Sequence, residues 1–316
     1  MSWMRPLGST GLQVSALCLG GGPLGGQPQL FGRDTPAERG IATVLAVLDS
    51  PIRFIDTSNG YSGGESERRI GEALRRVGGL PEGVVVETKT DPKGADYSGE
   101  RVRRSVAESM ERLGLDRLPL VHLHDPENFE FEDVAAKGGA VDALVALREQ
   151  GVVGSIGLAG GDVRIMAKYL ALEVFDVLLV HNRWTLVDRS AGALVAEARR
   201  QGMGVLNAAV YGGGILAHQD AAGSPTTYGY RPASQPVLDA VAGMRAVCAR
   251  YGTELSTAAL QFSIRDDTFS STIVGMSRPE RIASTVAAAQ TTLPDDLFAE
   301  LEALLPAAEF WLDAPL

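Results

Sequence analysis

Asp56, Tyr61, Lys89 and His124 have the types and spacing needed to move a proton to or from a carbonyl oxygen. Three of them end short hydrophobic runs: Arg53-Phe54-Ile55-Asp56, Val84-Val85-Val86-Glu87-Thr88-Lys89 and Leu120-Val121-His122-Leu123-His124. Asp56 and Lys89, and Lys89 and His124, are each separated by about one strand-helix unit. Three consecutive parallel strands then end in an acid, an amine and an imidazole at one rim. Tyr61 follows on the loop leaving the first strand. Lys89 ends an apolar strand and needs a counter-ion, which Asp56 supplies. An ammonium beside Tyr61 is expected to lower the phenol from its usual ~10, making it a usable general acid or base. His124 is placed to hydrogen-bond and orient the same oxygen.

The elements that carry these residues follow from hydrophobic patterning. Met4 to Leu7 and Gln13 to Ala16 read as a hairpin around Gly8-Ser9-Thr10-Gly11. Eight buried strands are expected at 17–20, 52–56, 84–88, 119–123, 152–157, 175–181, 204–209 and 271–275. Helices follow them, at 65–76, 99–113, 139–150, 162–171, 189–201, 235–251, 255–265 and 278–290, besides one ending near Leu48. Thr35-Pro36-Ala37-Glu38 and Ser277-Arg278-Pro279-Glu280 read as capping boxes at helix starts. The strands are short, rich in Val, Ile and Leu, and mostly not alternating, which is the pattern of a parallel sheet covered on both faces. Eight such units fit a (β/α)8 TIM barrel with an N-terminal β-hairpin and a C-terminal helix and tail from about residue 294. A doubly wound open sheet is the alternative. No linker composition divides residues 1–316, so one domain is expected. The longest irregular stretch, Tyr211 to Ser234 with Gly212-Gly213-Gly214 and Pro225, is long enough to suggest a functional loop.

Composition excludes some partners. The 316 residues carry a net charge of −10, which argues against nucleic acid or an anionic membrane surface. Cys18 and Cys248 form no metal-binding pattern, so no metal is expected. There is no signal-like stretch and no run near the ~20 apolar residues of a membrane span, so a cytoplasmic protein is expected. Oligomeric state is left open. Gly20-x-Gly22-x-x-Gly25 matches a dinucleotide fingerprint, but Gly26-Gln27-Pro28-Gln29 does not start a helix, and the next strand brings no acid at the required distance.

Phe54-Ile55-Asp56-Thr57-Ser58-Asn59-Gly60-Tyr61, Gly71-Glu72-Ala73-Leu74, Thr88-Lys89 and His124-Asp125-Pro126 resemble the aldo-keto reductases. The resemblance implies a (β/α)8 barrel that transfers hydride between a nicotinamide cofactor and a carbonyl, with a tetrad of Asp56, Tyr61, Lys89 and His124. Ser66-Glu67-Arg68-Arg69-Ile70-Gly71, Asn182-Arg183-Trp184-Thr185-Leu186-Val187-Asp188 and Gly214-Ile215-Leu216-Ala217 are similar to the aldose dehydrogenase branch, which includes L-fucose/D-threo-aldose 1-dehydrogenases and pyridoxal 4-dehydrogenase. In that branch Tyr61 acts as base on an anomeric hydroxyl, while His124 and Lys89 stabilise charge on oxygen.

For the cofactor, the family's Ser-Asn after the fifth strand is replaced by Gly157-Leu158-Ala159-Gly160-Gly161-Asp162, so Asp162 or Asn182 is expected to substitute. A family Lys after strand eight falls on Gly275, while Arg281 matches the family Arg. Ser277 and Arg278 lie beside it at a helix N-terminus suited to phosphate. The lost Lys favours NAD over NADP. Trp184, Pro23 and Leu24, with a tail aromatic such as Phe310 or Trp311, are expected to line a pocket for a small sugar, aldehyde or pyridoxal-like substrate. Two other readings of the same residues are a cofactor-binding regulatory barrel and a sugar isomerase or aldolase using Lys89 as base or Schiff-base nucleophile.

Overall fold

The computed structural model describes residues 2–26, 34–217 and 226–316. Gln27-Pro28-Gln29 and Pro225 lie outside the described residues. A hairpin of β1 (Met4–Pro6) and β2 (Gln13–Ser15) precedes the main sheet. That sheet comprises β3 (Leu17–Gly20), β4 (Phe54–Asp56), β5 (Val85–Thr90), β6 (Leu118–His124), β7 (Val153–Gly160), β8 (Val177–His181), β9 (Gly204–Ala208) and β12 (Ser271–Gly275). All neighbours are parallel, and β12 pairs with both β9 and β3, closing the barrel. Closure rules out the open-sheet alternative. A short antiparallel pair, β10 (Thr227–Tyr228) and β11 (Arg231–Pro232), forms within the long loop, where the sequence suggested no strands.

The outer layer contains α1 (Ala37–Leu48), α2 (Glu65–Arg76), α3 (Gly99–Leu113), α4 (Phe131–Val134), α5 (Ala140–Glu149), α6 (Val163–Leu170), α7 (Gly192–Arg200), α8 (Gln235–Arg250), α9 (Leu255–Ile264), α10 (Glu280–Gln290) and α11 (Asp295–Glu302). Their buried faces have helical spacing. In α2 these residues are Ser66, Glu67, Ile70, Ala73 and Leu74, packed toward the barrel. Neither expected capping box forms. In α1, Pro36 takes the cap position and its carbonyl accepts the Arg39 and Gly40 amides at 3.0 Å each. Before α10, Pro279 occupies the cap and is already helical, so the Ser277 side chain makes no cap bond. Proline thus stands one place earlier relative to the helix than a box requires at Pro36, and two places earlier at Pro279.

Inside the barrel, Leu7 and Val14 of the hairpin join Cys18, Phe54, Val85, Leu120, Val177, Leu206 and Ile273 in one apolar cluster. The hairpin therefore seals the end of the barrel away from the carboxyl termini of the strands. Close contact requires glycine here: a Cβ on Gly204 would stand 2.6 Å from Leu7 Cδ1. No helix among the described residues is long and apolar enough to cross a membrane.

Candidate active site

Parallel register brings the polar strand ends together. Gly20 pairs with Asp56, Asp56 with Glu87, Lys89 with His122, and His124 with Ala159. Side chains two apart on a strand share a face, so Glu87 and Lys89, and His122 and His124, form two polar pairs on neighbouring strands. The loop carrying Tyr61 is anchored from α3. Arg101 donates to Asn59 Oδ1 at 2.9 Å, Arg112 donates to the Asn59 carbonyl at 3.0 Å, and Asn59 Nδ2 donates to the Ser105 carbonyl at 3.1 Å.

Lys89 is 2% exposed and directs its ammonium at three acceptors: Asp56 Oδ1, the Thr57 carbonyl at 2.7 Å and Tyr61 Oη at 3.2 Å. An ammonium has three protons, and all three are used. Because Tyr61 Oη receives one of them, its own proton is free to point elsewhere. The ammonium also lies 4.7 Å from the centre of the Tyr61 ring, whose plane meets His124 edge-on at 5.7 Å between ring centres.

Burial pushes the Asp56 carboxyl up to about 6, against the opposing pull of Lys89. Burial also disfavours the charged Lys89, but Asp56, Tyr61 and Glu87 outweigh it and hold the amine above its ordinary value. The expected lowering of the Tyr61 phenol does not occur. Burial is the larger influence and raises the phenol, with Lys89 only partly countering it. Tyr61 is therefore a firmly protonated acid in this state.

Asp91 emerges as a site residue that the sequence reading missed. Its Oδ1 lies 2.8 Å from His124 Nδ1, and its Oδ2 accepts from the Ser58 hydroxyl and from the Gly60 amide at 2.6 Å. Gly60 has to be glycine, since a Cβ there would sit 2.8 Å from Asp91 Cγ. Burial disfavours the His124 cation, but Asp91 and Asp125 overcome it and raise the imidazole above its usual value. With Nδ1 held by Asp91, Nε2 is left as a donor toward the rim. Tyr97 Oη fixes the strand end by accepting the His124 amide at 2.8 Å.

Glu87 and His122 form a second missed group, both completely buried, with Glu87 Oε2 2.9 Å from His122 Nε2. Burial pushes Glu87 up to about 8 and His122 down to about 3. The signal for both was the alternation itself: a charged or imidazole residue two places before Lys89 and before His124 belongs on the same inward face. Asp91 was legible by the same count, two places after Lys89.

The residues expected to hold the cofactor are divided. Asp162 is the cap of α6, with Oδ1 accepting the Arg164 and Ile165 amides at 3.0 Å each, so that oxygen is already engaged. Asn182 is fully buried with φ of 60°, its Nδ2 is 3.1 Å from His181 Nδ1, and its Oδ1 has no hydrogen-bond partner among the described residues. Glu127 reaches the Gly161 and Asp162 amides at 2.5 and 3.3 Å, while its Oε2 is buried without a partner. The orphaned Asn182 Oδ1, at the end of β8, fits the amino group of a nicotinamide carboxamide, whereas Glu127 Oε2 lies by Gly160 and Met166, against the helix layer. Gly275 ends β12 and is exposed, and Ser277 is buried. Arg278 is partly exposed, and Arg281 is exposed with its charge felt by Tyr211. These two guanidinium groups lie at the start of α10 and fit a cofactor phosphate.

Two residues expected in the substrate pocket, Trp184 and Leu24, pack elsewhere. The Trp184 indole donates to Asp266 Oδ2 at 3.1 Å and stacks on Phe262 at 6.4 Å, so it packs against α9 rather than facing the tetrad. Pro23 and Leu24 lie in a 3-10 turn, both buried, and Leu24 belongs to the core between barrel and helices. In the tail, Trp311 donates to the Pro306 carbonyl at 2.9 Å. Tyr230 instead reaches the rim, 6.4 Å from His181 between ring centres. Asp125, Glu127 and His181 bring donor atoms within 4.8 Å of one another, the one such trio among the described residues. Four non-glycine residues just beyond strands at this rim have positive φ: Ser62 (54°), Asp125 (43°), Asn182 (60°) and Ala209 (54°).

A closed parallel barrel with an acid, amine, phenol and imidazole at its carboxyl rim defines a class of carbonyl-polarising barrel enzymes. Comparison with known proteins specifies it. The model of the Aldo/keto reductase family matches residues 16–306, and the chain belongs to that family. L-galactose dehydrogenase of Arabidopsis thaliana is 32% identical, covering 96% of this chain and 94% of that protein. Pyridoxal 4-dehydrogenase of Microbacterium luteolum is 30% identical, covering 94% and 96%. The fold matches the holo form of an aldo-keto reductase from Bacillus halodurans with a TM-score of 0.80, over 98% of each chain and at 21% identity. The protein is an NAD(P)-dependent oxidoreductase acting on a small molecule.

Proposed function

We propose that this enzyme oxidises the anomeric hydroxyl of a cyclic aldose, or a similar hydroxyl of a pyridoxal-like compound, and that Tyr61 moves the proton. The arrangement of Lys89 carries this reading. Its three protons are committed to Asp56, Thr57 and Tyr61, so one hydroxyl is singled out and placed beside an imidazole. In oxidation Tyr61 first gives its own proton to solvent and, as the phenolate, takes the hydroxyl proton at Oη; His124 Nε2 donates to the same oxygen, and the carbon becomes a lactone carbonyl as its hydride leaves. An oxidised nicotinamide, when bound, would supply the hydride acceptor and a positive charge. In reduction Tyr61 returns its proton to the oxygen. Lys89 lowers the cost of the phenolate, and Asp91 keeps His124 oriented and favours its protonated form. The names of the relatives, a sugar and a pyridoxal dehydrogenase, support this substrate range.

Asn182 would hold the carboxamide, and Arg278 and Arg281 the phosphate side, with Ser277 and Gly275 forming the wall between. NAD is the preferred cofactor because Gly275 stands where a second cation would serve a 2′-phosphate. We place the enzyme in the cytoplasm as one barrel domain, consistent with two free buried cysteines, Cys18 and Cys248. A Schiff-base role for Lys89 is disfavoured because the amine is held charged, with all its protons bonded. The test is the absorbance of reduced nicotinamide, with NAD and NADP supplied separately, against L-galactose, L-fucose, D-arabinose, pyridoxal and simple aldehydes. Turnover with an aldose and NAD, abolished by Tyr61→Phe, supports the proposal. Equal turnover by Tyr61→Phe would sink it.

A further inference from the structure

The Glu87–His122 pair lies below the tetrad and takes no part in the reaction described above. It occupies positions where a barrel lumen ordinarily holds branched apolar residues. Both side chains are wholly buried, and room for the imidazole comes from β7: a Cβ on Gly157 would lie 2.1 Å from His122 Nδ1. Glu87 Oε2 meets His122 Nε2 at 2.9 Å. Glu87 Oε1 finds no donor among the described residues, and the parallel register of β4 and β5 pairs Asp56 with Glu87, so the two buried carboxyl groups stand side by side in the lumen. Only one ammonium, already paired with Asp56, faces them, so ionising both is costly.

We propose that Glu87 and His122 are positioning residues: their pair holds a proton against Asp56 and sets the charge beside which Lys89 and Tyr61 work. The proposal rests on Tyr61 as the proton-transferring group. The Glu87 hydroxyl donates to Asp56, while neutral His122 donates from Nε2 to the other Glu87 oxygen. Asp56 is thereby held in line with Lys89 Nζ, and the lumen carries one negative and one positive charge. The titratable groups facing Glu87 are Cys18 from β3, Asp56 from β4, Lys89 on β5 and His122 from β6. Burial keeps the Cys18 thiol neutral and His122 uncharged, so neither offsets a second carboxylate. When Glu87 loses its proton, near pH 8, a negative charge is added beside Lys89 and the Tyr61 phenolate becomes harder to form.

The test is the pH profile of kcat/KM for oxidation by the holoenzyme. In the wild type the rise with pH breaks near 8. In Glu87→Gln, which keeps a donor for Asp56 and an acceptor for His122, the break disappears, and the rate one pH unit higher exceeds the wild type by about tenfold. His122→Leu removes the donor that stabilises the Glu87 carboxylate and moves the break to higher pH. Superimposable profiles for all three proteins would overturn the proposal. Infrared difference spectra of the wild type between pH 6 and 9 give a reading that needs no turnover. Loss of a buried carboxylic-acid band, absent from Glu87→Gln, is expected, and its absence from the wild type also overturns the idea. A wild type inactive on every aldose and aldehyde, with that band present, counts against the proposed reaction and not against the pair.

Discussion

The two halves of the barrel lumen solve burial in opposite ways. Along β8, β9 and β12 the inward residues Val177, Leu179, Leu206 and Ile273 are packed hydrocarbon. Along β4, β5 and β6 the same depth holds Asp56, Glu87, Lys89 and His122, with exposures between 0 and 3%. The apolar half gains stability directly from dehydration. The polar half is tolerable only because each group has a partner, and removing a partner exposes the full desolvation cost of the other. One wall thus supplies stability while the other holds charge in a fixed arrangement for use at the rim.

Substitutions can break this contrast at several points. Tyr61→Phe should lower kcat/KM by about a thousandfold, the scale of a lost general acid or base, with cofactor affinity unchanged by fluorescence titration. Lys89→Met should cost roughly 3–5 kcal/mol in urea unfolding because Asp56 is left unpaired, and adding Asp56→Asn should restore part of it. A double variant no more stable than Lys89→Met would show that the two charges are not coupled. In the opposite wall, Leu206→Ala should cost roughly 2–5 kcal/mol through its cavity, yet leave kcat of the folded protein near wild type. Asp91→Asn should cost about tenfold and shift the loss of His124 charge to lower pH, visible as an earlier fall in the pH profile of carbonyl reduction.

The last effect is a slope. Glu87 binds its proton more tightly in the folded state, with its value moved from the ordinary 4.5 to about 8. The native state therefore holds more protons than the unfolded chain between those values, and stability falls as pH rises through that window. Urea midpoints at pH 5 and pH 8 should differ less for Glu87→Gln than for the wild type. Equal differences would mean that the polar wall does not resist ionisation.

Much of this contrast was visible in the sequence, unevenly. The eight strands and the tetrad could be read because each is local: an apolar run followed by one polar residue. Glu87 and His122 stood inside the very runs that identified those strands. Their pairing depends on the register between β5 and β6, which no single run contains. The direction of the Tyr61 shift was misjudged because a charge neighbour is evident from spacing, whereas the extent of dehydration is set by the closed barrel. Trp184 was assigned to the pocket by proximity to β8, but Asp266 and Phe262, about eighty residues later, supply its hydrogen bond and stacking surface. The cap shifts at Pro36 and Pro279 are matters of one and two residues that composition does not resolve.

The hairpin at the base bears on the order in which the chain is made. Leu7 rests on Gly204, the Ser9 amide donates to the Gly202 carbonyl at 3.1 Å, and the Thr272 amide donates to the Ala16 carbonyl at 2.9 Å. The hairpin cannot take its final seat until β9 and β12, far behind it in the chain, have been synthesised. Until then Leu7 and Val14 remain uncovered, and the growing sheet is open to water from below. Before β12 pairs with β3 and β9 there is no closed barrel, so a partly made chain is an open sheet with an uncovered apolar base and unpaired edges.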